Sequence, residues 1–330
     1  MFPNKRMRIN RASGAIRNMV AESRLHPHDF IAPLFIVEGN GLKEEIHSMP
    51  GYYRYSLDEL ETELQELVAV GIQSVLLFVK EADEHKDNTG AYASNPNGLM
   101  QRSIRFVREK QPSLLVMTDV ALDPYSSFGH DGIVEDGKIV NEKTVDALVK
   151  MALSHIEAGA HWVAPSDMMD GRIGAIREAF NEAGYHEAGI LAYSAKYASS
   201  LYGPFRDALD SAPGFGDKKT YQMDPRNSEE GISEALLDEE EGADMVMVKP
   251  GSYYLDVVRD LAVNCTRPVA VYQVSGEYAM IKAASEKGWL NEEQIMLESL
   301  LAFKRAGASL ILTYFAKPAS QYLIDHYAKS

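Results

Sequence analysis

Two lysines close two short apolar runs, Met245-Val-Met-Val-Lys249-Pro250-Gly251 and Gly189-Ile-Leu-Ala-Tyr-Ser-Ala-Lys196. An apolar run bounded by turn residues reads as a buried parallel strand. An ammonium at the end of such a strand is costly unless it is paired or neutralised. Strands that neighbour each other lie about 4.8 Å apart, so the two amines would be within mutual reach. Like charges that close disfavour double protonation, which leaves at least one neutral amine. A neutral amine in a dry pocket attacks a ketone and forms a Schiff base.

The elements that must hold these lysines repeat along the chain. Apolar runs at 31–37, 74–79, 114–118, 161–165, 189–194, 244–248, 269–274 and 309–313 make eight expected strands. Between most of them lie amphipathic helical patterns, such as Leu57, Leu60, Leu64 and Leu67, or Val145, Leu148, Ala152 and Ile156. Asn291 followed by Gln294 predicts a helix start. Gly71, Gly159, Gly242 and Gly307 each precede an apolar run, as helix-terminating glycines do. Strand–helix alternation implies parallel pairing with right-handed crossovers, and eight units close into a (β/α)₈ TIM barrel. A doubly wound open sheet is the alternative, but no G-x-G-x-x-G follows the first run. In a barrel, chemistry sits at the carboxyl ends of the strands. Those ends carry Asp119, Ser166, Asp167, Lys196, Lys249, Ser275 and Tyr314.

Two loops add candidates. The segment 197–227 is long, glycine-rich and basic, with Gly203, Pro204, Arg206, Pro213, Gly214, Gly216, Lys218 and Lys219. A loop of that length predicts a lid that closes on an anionic substrate, with Arg206 clamping a carboxylate. After the third run, Asp119, Asp123 and Asp131 offer either oxygen ligands for a hard cation or ordinary turn carboxylates. His130 and His161 read as structural, and Asp238-Glu-Glu-Glu241 as a solvated helix face. Glu234, one turn earlier, carries no signal of its own.

Composition narrows the function class. With 330 residues, 45% hydrophobic and 25% charged, the chain is an ordinary globular protein. A net charge of −15 argues against a nucleic-acid partner. No apolar run approaches a membrane span, no secretory h-region opens the sequence, and a cytoplasmic protein is expected. The single Cys265 rules out an intramolecular disulfide or a multi-thiolate zinc site. Residues 1–30 hold six Lys/Arg against two acids, a net of +4, leaving −19 for the rest. That predicts an amino-terminal arm that embraces a neighbouring subunit, ahead of a catalytic barrel at 31–330.

The segments APSDMMDGR (164–172), YSAKYASSLYGPFRDA (193–208), YQMDP (221–225), MVMVKPG (245–251), VSGEYAM (274–280) and LTYF (312–315) resemble the porphobilinogen synthase, or δ-aminolevulinic acid dehydratase, family. The likeness spans nearly the whole chain. It implies a homo-octamer of barrels with wrapping arms, and a hydro-lyase that condenses two 5-aminolevulinate molecules into porphobilinogen without an organic cofactor. By resemblance Lys249 and Lys196 carry the Schiff bases of the first and second substrate. Ser275 and Tyr314 match residues that hold the first carboxylate. Arg206, Lys218 and Gln222 match those around the second, while Asp119 and Ser166 line the amine site. Lys218 stands where arginine is common, which keeps charge but loses the bidentate fork. Zinc-dependent members place three cysteines where Ala121, Asp123 and Asp131 stand, so no zinc is expected. The chain is similar instead to magnesium-responsive members, in which the carboxylate matched by Glu234 binds an activating Mg²⁺ near a subunit interface. A single-lysine aldolase and a non-catalytic oligomeric scaffold are the alternatives.

Overall fold

The computed structural model describes residues 4–209, 214 and 216–327. Eight barrel strands run in sequence order: β1 (Phe30–Val37), β2 (Ser74–Lys80), β3 (Leu115–Val120), β4 (Trp162–Pro165), β5 (Gly189–Lys196), β6 (Met245–Lys249), β7 (Val269–Gln273) and β8 (Leu310–Thr313). Each pairs in parallel with the next, and β8 pairs with β1, so the sheet closes. The (β/α)₈ barrel expected from the eight runs is therefore what the chain forms. Both faces of the strands are covered, which is why they read as continuous Val/Ile/Leu runs instead of alternating ones. β1 and β5 are buried at all eight positions.

Helices pack outside through the faces the periodicity marked. Leu60, Leu64 and Leu67 are buried on helix Leu57–Ala69, and Leu148, Ala152 and Ile156 on Asn141–Glu157. The Asn291 side chain accepts the Gln294 N–H at 3.0 Å and starts helix Glu292–Ala306. The four junction glycines have φ between 78° and 119°, a region that carries a Cβ penalty for other residues. Gly189 has a different reason to be glycine: a Cβ there would lie 2.1 Å from the Trp162 ring on β4. Gly189→Ala is thus expected to lower the free energy of unfolding in denaturant by about 1–3 kcal/mol, the range for overpacking; an unchanged midpoint would contradict this packing.

Three features have no counterpart in the sequence reading. A hairpin of Lys43–Glu45 and Tyr53–Tyr55 extends the sheet beside β1, and a second hairpin pairs Val134–Glu135 with Lys138–Ile139. A β-bulge interrupts β5, where Ala192 faces Val246 but Ala195 faces Val248. At the amino end, Met7–Arg11 and Gly14–Met19 are helical with no buried residue, and Met7, Ile9 and Met19 are more than 60% exposed. The chain first enters the core at Leu25.

Candidate active site

The carboxyl rim of the barrel brings the two lysines together. Lys249 of β6 and Lys196 of β5 are direct cross-strand partners, and each is about 5% exposed (6% and 5%). The β5 bulge shifts the alternation of that strand, so Tyr193 and Lys196 both reach the interior although three residues apart. Lys249 Nζ stands 4.8–5.1 Å from the ring centroids of Tyr193, Tyr202, Phe205 and Tyr272. Burial, reinforced by the Lys196 charge, brings the Lys249 ammonium pKa down to about 7, against a smaller upward pull from Asp119 and Asp131. An amine that is half neutral near pH 7 is a nucleophile.

Lys196 has different company. Its Nζ donates to Asp131 Oδ2 at 3.1 Å and to the Ser166 carbonyl oxygen. Asp131 Oδ1 accepts from Lys218 Nζ at 2.5 Å, and Lys218 reaches Asp123 Oδ2 at 3.4 Å. Burial alone would raise the Asp131 carboxyl, but the two ammoniums outweigh it and hold it at about 2. Asp119 goes the other way. Burial and the neighbouring Asp123 push it up to about 7, opposed by Ser166 and the two lysines, and its Oδ1 has no hydrogen-bond partner among the described residues. One rim thus holds a carboxyl able to carry a proton near neutral pH and an amine able to lack one, the pairing that acid–base steps need.

The segment after β5 closes over this rim. It forms the turn Ser200–Tyr202 and the helix Gly203–Leu209; its Pro213 lies outside the described residues. Phe205 plugs the mouth, its ring 5.7 Å from Phe35 and 5.2 Å from Phe78. The basic hairpin residue Arg54 donates to the Asp207 and Ala208 carbonyls at 3.3 and 2.9 Å, and Ser48 Oγ donates to Asp207. Asp119, Ser166, Lys196, Lys249, Arg206, Lys218, Gln222, Asp123 and Asp131 line a cavity of only about 30 Å³. That is the room of about one water, so a substrate enters only when the lid moves. Ser275 and Tyr314 stand just beyond this cavity. Ser275 Oγ accepts the Phe205 N–H at 2.9 Å, and Tyr314 Oη bonds Tyr272 Oη at 2.7 Å.

The aspartate loop bears on a metal. Both Asp131 oxygens are spent on ammonium groups, and Lys218 takes the place a cation would fill. Among the described residues no three His, Cys, Asp or Glu side chains converge on such a site. A cation held by Asp123 and Asp131 therefore does not fit this arrangement. Glu234 fits better. It is half-buried on the wall of a cavity of about 960 Å³ with Asp170, Asp217, Asp224 and Glu230. Burial raises its carboxyl, and Asp238, Asp170 and Glu230 add to that against Arg172. Lys138 and Lys219 also line that cavity and Arg172 acts on Glu234, so the acids there are only partly unbalanced. A cation would be held through one or two carboxylates and water, as hydrated Mg²⁺ is.

The acidic run 238–241 is a solvated face only in its middle, where Glu240 is exposed; its two ends are packed. Asp238 is 2% exposed and receives Arg172 Nη1 at 3.2 Å, and Glu241 accepts the Gly174 N–H at 3.0 Å. The cause is Arg172, buried at the start of its helix, whose charge needs carboxylates (Asp167 at 3.6 Å is the other). His161 accepts the Val116 N–H at 2.9 Å and His130 meets the Tyr221 hydroxyl at 3.0 Å, both structural contacts. The sequence reading missed Tyr193, Tyr202, Phe205 and Tyr272 as the walls around Lys249. Their only signal was aromatic residues inside otherwise aliphatic strand and lid segments.

A parallel barrel with two buried primary amines at its carboxyl rim is equipped for carbonyl chemistry of the Schiff-base class. The family model described as delta-aminolevulinic acid dehydratase matches residues 4–322. The enzyme of that name from Halalkalibacterium halodurans is 48% identical over 97% of both chains. The one from Chlamydia pneumoniae is 50% identical over 95% of this chain and 94% of its own. A solved structure from Toxoplasma gondii, delta-aminolevulinic acid dehydratase (porphobilinogen synthase) in complex with the reaction product porphobilinogen, superposes with a TM-score of 0.96. Its identity is 49%, covering 98% of this chain and 92% of that one. The chain belongs to the delta-aminolevulinic acid dehydratase family.

Proposed function

We propose that this protein is a porphobilinogen synthase, a hydro-lyase that condenses two 5-aminolevulinate molecules into porphobilinogen and two waters, an early step of tetrapyrrole synthesis. The observation that carries the reading is the cross-strand pairing of Lys196 with Lys249 in a dry pocket, one amine half neutral near pH 7. Lys249 attacks the ketone of the first substrate, and loss of water leaves an iminium. Lys196 does the same with the second. Each iminium is an electron sink that eases proton loss from the adjacent carbon. One substrate then forms the C–C bond to the other, the remaining free amine closes the C–N bond, and both lysines are released. Holding two copies of one small molecule in unlike orientations is proximity catalysis.

The remaining roles belong to the same proposal. Ser275 and Tyr314 hold the first carboxylate; Arg206, Lys218 and Gln222 hold the second, with Lys218 exchanging its aspartates for substrate as the lid closes. Asp119 and Ser166 receive the free amine, and Asp119, its carboxyl protonated near neutrality, trades protons with it. Glu234 would hold an activating Mg²⁺, which supplies charge neutralisation away from the reacting atoms. The amino-terminal arm, residues 1–30, of which 4–24 have no buried residue, embraces a neighbouring subunit in a homo-octamer. No described helix is long and apolar enough to cross a membrane.

Purified protein should convert aminolevulinate to a pyrrole, lose rate after EDTA treatment and regain it with Mg²⁺. A protein that consumes no aminolevulinate refutes the activity; one that turns it over equally with and without Mg²⁺ refutes only the metal role.

A further inference from the structure

Glu277 touches none of the groups above, yet it is 2% exposed and lies between two turns of the site. Its Oε2 accepts the Val274 N–H at 2.6 Å and the Gly251 N–H at 3.2 Å, and its Oε1 accepts the Ser252 N–H at 2.6 Å. Val274 immediately precedes Ser275 at the end of β7. Gly251 and Ser252 follow Lys249 and Pro250 at the end of β6. One carboxylate therefore spans the turn that carries the Schiff-base amine and the turn that carries the substrate-carboxylate serine.

We propose that Glu277 is a positioning residue that sets Lys249 and Ser275 relative to each other. A ketone anchored by its carboxylate at Ser275 then meets the Lys249 amine in attacking geometry. The inference rests on the proposed function. A glutamate in the first turn of a helix commonly turns back on the N-cap N–H, and that accounts for Val274 alone. The bonds to Gly251 and Ser252 belong to another strand's turn, 26 and 25 residues away, and helix capping gives no reason for them.

The chemistry of the clamp explains why the residue is a carboxylate. Three N–H donors converge on it, and an ionised carboxyl is acceptor-only. A glutamine would turn an NH₂ toward at least one of those donors. The surroundings leave the two turns little room to adjust. A Cβ on Gly251 would stand 2.7 Å from the Phe303 ring, and one on Gly276 would stand 2.5 Å from the Leu201 carbonyl oxygen. Leu201 belongs to the lid, so the lid seats on the same turn that Glu277 holds.

The test compares Glu277→Gln with Gly307→Ala, which strains a helix end at φ 119° and is remote from the rim. Thermal midpoint, KM, kcat and the rate of borohydride-trapped adduct formation at Lys249 are read for each. Glu277→Gln is expected to lower kcat/KM by roughly 10²-fold, the scale of a small misplacement at a reacting centre. It should raise KM and slow adduct formation, while Gly307→Ala lowers only the midpoint. Glu277→Asp, which keeps the charge but shortens the reach, should fall between wild type and Gln; if Gln does not fold, Asp is read in its place. On a Ser275→Ala background, Glu277→Gln should add little further to KM. Variants that lose only thermal stability, as Gly307→Ala does, would overturn the proposal, as would full additivity with Ser275→Ala. A wild-type protein without adduct or turnover would instead defeat the proposed function.

Discussion

Lys249→Ala is expected to lower aminolevulinate turnover by roughly 10⁴-fold or more, because it removes a covalent step that pre-organisation makes intramolecular. It should also remove the borohydride-trapped adduct from the β6 peptide. Lys196→Ala should abolish pyrrole formation while the adduct at Lys249 still forms, since Lys249 serves the first substrate and lies in its own aromatic box. An aldolase with one essential lysine would survive one of the two substitutions. The same amine sets an acid limb. Protonation removes the nucleophile, and the Lys249 pKa lies at about 7, so kcat/KM should fall as pH drops below that value, by about tenfold per unit. A profile flat from pH 8 to 5, or full activity in Lys249→Ala, would show that the amine is not the nucleophile.

What the sequence made legible was whatever a single strand or helix encodes by itself. Each strand end names the residue it presents, so Asp119, Ser166, Lys196 and Lys249 could be placed on one rim from eight apolar runs and four glycines. What depends on two distant segments meeting was not visible. Asp238 looks like one acid among four until Arg172, from a helix 66 residues earlier, is brought against it. The aspartates at 123 and 131 look like cation ligands until the lid delivers Lys218 to them. Tyr193 stands at the wrong parity for the interior unless β5 carries a bulge, and no residue type in Ala192-Tyr-Ser-Ala195 announces one. The hairpin that latches the lid carries no strand signal, because its strands are three residues each and the first, Lys43–Glu45, is exposed throughout.

Asp131→Asn is expected to be the most damaging change that leaves both lysines in place. The carboxylate bridges Lys196 and Lys218 while buried, and breaking a buried pair by removing one partner costs about 3–5 kcal/mol. Asparagine keeps one acceptor oxygen and turns an NH₂ toward the other ammonium. Lys218 is then left with Asp123 at 3.4 Å, the weaker contact. The lid should loosen: amide exchange in Gly203–Leu209 should quicken, KM should rise, and kcat/KM should drop on the order of 10²-fold. The wild-type bridge carries its own pH signature. The folded Asp131 pKa, about 2, lies below its ordinary value of 3.8. Its stabilisation is therefore complete above about pH 4 and is lost as pH falls through about 2, and the Asn variant should lack that step in acid unfolding. If added Mg²⁺ rescued Asp131→Asn, or if the substitution left exchange in the lid helix unchanged, the carboxylate would be serving a metal or nothing at all. The bridge from Lys196 through Asp131 to the lid would then have to be abandoned.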